Sequence, residues 1–145
     1  MTAILRRRTA DPDNDVVTVA AGNGAYRRYP CPGCPWRVDQ TGTFPAEAFA
    51  HAAGTAYDMS TTTFGCHEAG VDNPVTCAGF LLRGAGHNLG VRLRAARGDI
   101  DLSAVHTNGA RLHAGYRTMA TANGVAPTDE RLQPCRWSPH EVAAR

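Results

Sequence analysis

The stretch Tyr29-Pro30-Cys31-Pro32-Gly33-Cys34-Pro35-Trp36-Arg37 sets the frame for the rest of the chain. Two cysteines separated by two residues present their thiolates from one tight turn to a single metal ion. Three prolines make the segment a stiff, irregular loop, which lowers the entropy lost when a metal binds. Pro32 has no N–H, whereas Gly33 and Cys34 keep theirs and are available to hydrogen-bond the first sulfur. Gly33 is free to take a positive φ. Trp36 reads as a core plug rather than a stacking platform, and Arg37 as a partner of Asp39.

Working outward, Cys66-His67 and Cys77 supply a second half-site that would complete a tetrahedral shell and tie two parts of the fold together. Gly70 and Pro74 allow the loop between Cys66 and Cys77 to fold back on one centre. Cys77 sits where a helix begins, and a helix N-terminus favours a thiolate. Neighbouring residues rarely both point at one tetrahedral ion, so Cys66 ranks ahead of His67. Cys135 reads as a buried free thiol and a substitute ligand. Four sulfurs suit Zn²⁺, or alternatively a 4Fe-4S cluster, which Cys34-Pro35 and the nearby Trp36, Phe44, Phe64 and Phe80 would fit. Zinc held by four cysteines has no open position and is structural. A three-ligand zinc site with Glu68 as base would instead make a hydrolytic enzyme.

Composition narrows the class. The chain has 145 residues, 43% hydrophobic and 19% charged, enough for one domain with a modest core. Aromatics are sparse at 7% and glycine is plentiful at 15, so a metal cross-link would be physically useful. The formal net charge is +2, and all fifteen basic residues are arginine. Coding bias explains that usage more simply than anion recognition does. Arg92, Arg94, Arg97, Arg111 and Arg117 nonetheless form a mild basic run, which with Trp36 and Arg37 marks a candidate surface for nucleic acid or a protein partner. No apolar run approaches the ~18 residues that span a bilayer. Acidic residues follow the basic N-terminus where a signal peptide needs its apolar core, and five cysteines fit a closed disulfide framework poorly, so the cytoplasm is expected.

Along the chain, residues 1–15 read as a flexible, solvated tail, 16–135 as one domain and 136–145 as a second tail. Residues 16–19 are β-branched and predict a strand before a turn at Gly22-Asn23-Gly24. Thr43 as N-cap and Pro45 predict a helix running to about 51 or 53. A short strand is expected at 61–64. The clearest helix spans from 75 or 77 to 97, interrupted near Gly84 and stopped at Gly98, and a third covers 109–123. Residues 125–145 read as an extended wrap. The expected fold is α+β and helix-rich, with an irregular N-terminal half stapled by the four-cysteine site.

The run Cys31-Pro-Gly-Cys34-Pro35-Trp36-Arg37, then Phe44-Pro45, Cys66-His67 and Cys77-Ala78-Gly79, resembles a family of small actinobacterial and actinophage proteins over about residues 29–97. The resemblance implies a shared metal site at Cys31, Cys34, Cys66 and Cys77 and a possible phage origin, but no particular activity. Taken together, the residues point to a zinc-stapled interaction or regulatory module. An iron–sulfur redox or sensor protein is the alternative, and a zinc hydrolase the second alternative.

Overall fold

The computed structural model describes residues 4–19, 24–70 and 73–144. Among them, two strands and five helices form a small single-domain α+β fold. Strand β1 (Ile4–Asp11) pairs antiparallel with β2 (Asn14–Val19), Ile4 opposite Val19 and Asp11 opposite Asn14. The helices are α1 (Ala46–Ala52), α2 (Ala78–Arg83), α3 (Leu89–Ala96), α4 (Tyr116–Ala122) and α5 (Pro139–Ala143). No described helix is long and apolar enough to cross a membrane.

Of the tail expected at 1–15, residues 1–3 lie outside the described residues and 4–15 are instead most of a β-hairpin. Its acidic run makes the turn: Asp11 Oδ1 accepts from the Asp13 N–H and the Asn14 amide, mimicking a backbone turn. Arg7 and Asp15 add a cross-strand ion pair at 3.0 Å. The expected strand at 16–19 is the second half of β2. Of the turn expected at Gly22-Asn23-Gly24, only Gly24 lies within the described residues, with φ +84°.

Helix α1 starts later than its Thr43 suggests. Pro45 is the N-cap, and the Thr43 hydroxyl turns back toward Gln40. The long helix expected from 75 or 77 to 97 is two helices, broken near Gly84. Gly84 ends α2, and Asn88 starts α3 by accepting from the Val91 N–H. Asn88 is itself buried, and its amide donates to the Thr55 and Thr62 carbonyls, so one side chain ties the break to two distant loops.

Trp36 organises the core. It is fully buried, with edge-on contacts to Phe64 and Tyr116 at 5.8 Å between ring centroids. Two glycines of the α2 segment admit the indole. A Cβ on Gly79 would lie 2.5 Å from Trp36 Cβ, and one on Gly84 would lie 2.5 Å from Trp36 Cη2. The Trp36 Nε1 N–H has no acceptor among the described residues, a cost that its ring packing offsets. Tyr116 begins α4 and donates its hydroxyl to the Phe49 carbonyl of α1.

The helix expected at 109–123 is present only as α4. Its first residues are held extended instead, because His113 donates to the Trp36 carbonyl and Leu112 bridges Arg37. The tail expected at 136–145 holds α5. Ser138 and Glu141 form a capping box, and the buried Glu141 also accepts from the Thr118 N–H and hydroxyl in the first turn of α4. One carboxylate therefore satisfies the starts of two helices and docks the C-terminal segment.

Gly79→Ala should lower stability by about 1–3 kcal/mol through overpacking against Trp36. Gly86→Ala, whose new Cβ meets nothing within 4 Å, should be nearly neutral. Ser138→Ala should cost about 1 kcal/mol through the lost cap. Thermal unfolding of the three variants checks this ranking.

Candidate metal centre

Three loops bring Cys31, Cys34, Cys66 and Cys77 into one buried region, with exposures of 4%, 0%, 6% and 2%. All four are free thiols. The first loop is a turn closed by Cys34 N–H to the Cys31 carbonyl at 3.1 Å and continued by Arg37 N–H to the Cys34 carbonyl. The second and third loops are pinned to each other. Cys66 donates to the Val75 carbonyl, Cys77 donates to the Phe64 carbonyl, and Gly65 bridges Thr76. Residues 25–27 line up on the other side of Thr76, so Thr76 holds two chain segments beside Cys77.

The sulfurs sit as two interacting pairs. Cys34 Sγ and Cys77 Sγ are 3.6 Å apart. The hydrogen bond between them holds Cys34 below the ordinary thiol range, while the same bond and burial push Cys77 well up. Backbone N–H groups of Trp36, Arg37 and Gly79 also favour the Cys34 thiolate. These donors serve the second cysteine of the turn rather than the first. Gly33 is not among the positive-φ glycines, so the turn does not use its conformational freedom. In the other pair, burial and then Cys66 push Cys31 up to about 11. Among the described residues, no group of three or more His, Cys, Asp or Glu side chains is already arranged to hold a metal ion. The thiols are gathered without being closed into a shell.

Arg27 was not singled out from the sequence, yet its Nε donates to Cys66 Sγ at 3.2 Å. Its guanidinium is held further toward the charged form by Cys66 and, more weakly, by Cys31 and Glu68. The available signal was its position four residues before the turn. His67 is exposed and packs edge-on against Phe44 at 4.7 Å, beside Gly33 rather than among the sulfurs. Cys135 belongs to another part of the core. It donates to the Ala53 carbonyl, and burial pushes its thiol up to about 12.

The candidate partner-binding residues differ in exposure and in pairing. Trp36 is fully buried and so cannot be a stacking platform. Arg94 turns inward to the Gly24 carbonyl and the Thr76 hydroxyl. Arg117 binds the Gln133 and Cys135 carbonyls and lies over Trp137 at 4.4 Å. Arg37 and Arg97 pair with Asp39 and Asp99. Arg92 and Arg111 are the exposed members with no carboxylate partner among the described residues.

No curated protein and no solved structure matches the chain. The model of a family of unknown function (DUF6283) matches residues 26–136, a span that contains all five cysteines and excludes the hairpin and α5, and the chain belongs to that family.

Proposed function

We propose that the protein is a zinc-stapled, non-catalytic interaction module of a reducing, cytoplasmic compartment, with Cys31, Cys34, Cys66 and Cys77 as the four zinc ligands. The observation that carries this reading is the 3.6 Å separation of Cys34 and Cys77 within a group of four buried thiols. Zn–S bonds of about 2.3 Å give a tetrahedron whose S···S edge is roughly 3.8 Å, close to that separation. A 4Fe-4S cluster interposes its irons and sulfides between the cysteine sulfurs and holds them much farther apart, so the same distance favours a single ion. Closing the shell would require the Cys31 and Cys66 sulfurs to move onto the point that Cys34 and Cys77 face, since no three ligands among the described residues are yet arranged around one centre. The protons on the thiols would leave as the metal enters.

A zinc ion with four thiolates carries a net charge of −2, and Arg27 beside Cys66 is placed to offset part of it. Such a site has no coordination position for water, so it supplies no Lewis-acid chemistry. Glu68 is exposed and faces the Arg27 charge, which does not suit a general base. The role of the metal is then to fix the 31–34, 66 and 77 loops against Trp36 and present the surrounding surface to a nucleic acid or protein partner. A phage-encoded origin fits the resemblance of the cysteine pattern.

Purified protein should contain one zinc per chain by elemental analysis, without visible absorption. Cys34→Ala and Cys77→Ala should each abolish stoichiometric zinc, while Cys135→Ala retains it. Chelation should unfold the body, because structural zinc contributes on the order of 10 kcal/mol. Iron with acid-labile sulfide, or zinc that survives both cysteine substitutions, would refute the assignment.

A further inference from the structure

Beside the metal loops, residues 61–65 run as an unregular segment whose backbone is satisfied on one side alone. The Thr62 carbonyl accepts from Asn88 and the Phe64 carbonyl from Cys77 N–H. Among the described residues, Thr61, Thr63 and Gly65 use neither their N–H nor their C=O. In an extended chain successive residues point these groups to opposite edges. Thr63 and Gly65 therefore form a short free edge, anchored along the opposite side, whereas the Thr61 carbonyl faces Gly90 at the start of α3. Gly65 already pairs in β fashion with Thr76, which fixes the conformation at one end.

This edge lines a groove of about 1770 Å³ between the body and the β1–β2 hairpin. The volume exceeds the ~300–1,000 Å³ usual for small-molecule pockets, so a length of chain suits it better than a metabolite. The hairpin forms the far wall, yet none of its side chains described from residue 4 to 17 is buried. Both strands run beside α1, yet a two-stranded hairpin without a buried face is marginal, and a strand laid between it and residues 63–65 would bury more of it. Val16, Val17, Phe44 and Val75 give the groove apolar lining. Five arginines and three aspartates also line it. Arg94, Arg97 and Arg131 are engaged within the protein, leaving Arg6 and Arg8 of β1 without a carboxylate partner among the described residues.

We infer that this groove binds an extended acidic peptide segment of a protein partner by strand addition along Thr63 and Gly65, with Arg6 and Arg8 reading its carboxylates. The inference rests on the interaction-module reading and names its partner class. Main-chain hydrogen bonds supply the affinity, and alternate side chains fall either among the apolar lining or toward the arginines.

The test is to pan the zinc-loaded full chain against a random dodecapeptide phage library and measure the selected peptides by fluorescence anisotropy. Selected sequences should alternate acidic with apolar or β-branched residues, and their binding should slow amide exchange at Thr63 and Gly65. Thr63→Pro removes one donor from the free edge and touches neither anchored carbonyl, and it should weaken binding about tenfold. Arg6→Glu combined with Arg8→Glu, distant from the core, should weaken it by a similar factor and supplies the test if the proline variant does not fold. No enrichment, enriched peptides unaffected by these substitutions, or amide protection elicited only by a fifteen-nucleotide oligothymidylate would overturn the inference. So would self-association in sedimentation that Thr63→Pro abolishes, because a second copy would then be the occupant. Zinc content measured on the same sample separates the two readings. Zinc-loaded protein that selects no acidic peptide refutes the groove alone, and peptide binding by protein lacking zinc refutes the metal assignment alone.

Discussion

Four sulfur atoms removed from water in one small volume are the constraint on which the rest of this structure turns. A buried thiol is tolerable, but a group of four from three loops has little packing value for the backbone it ties down. The Cys34–Cys77 contact at 3.6 Å joins the Cys31–Cys34 turn to the start of α2, two parts of the chain with no regular secondary structure between them in common. Among the described residues the one sheet is N-terminal, and the α-helices have between five and eight residues. Helices of that length do not hold themselves together in water. What holds them is the aromatic core and, on the proposed reading, the metal.

The sulfur group and the core are two ends of one arrangement. Trp36 lies two residues after Cys34, and Gly79 lies two residues after Cys77. Placing the two cysteines in contact therefore places the indole against the glycine face of α2, where no side chain stands in its way. The same geometry lends Cys34 the N–H groups of Trp36, Arg37 and Gly79, which favour its thiolate. Sulfur chemistry and core packing thus select the same backbone path. The free edge at Thr63 and Gly65 follows from it too, because the Cys77 N–H holds the Phe64 carbonyl on one side of that segment and leaves the other open.

The cysteine loops were legible because their signal is local: a spacing of two residues, flanking prolines, and Cys77 at a helix start. The break near Gly84 was legible for the same reason, since glycine weakens a helix whatever surrounds it. What was not legible depended on contacts between distant residues. The Asp11 to Asn14 run reads as a solvated tail until the Asp11 side chain is seen closing a turn. The last residues read as a tail because nothing nearby reveals that Glu141 will reach the first turn of α4. The basic run does not face solvent as a whole, for a related reason. Arginines carry enough donors to satisfy carbonyls in the body, and Arg94 and Arg117 are spent there rather than on solvent. Arg27 escaped notice because a sulfur acceptor leaves no pattern in the sequence around it.

X-ray absorption at the zinc edge on the purified protein tests the central claim most directly. Four sulfur scatterers at about 2.3 Å, with no nitrogen, oxygen or second metal in the shell, are what the account predicts. A shell containing light-atom ligands, or a metal–metal vector of the kind a cluster gives, would contradict it.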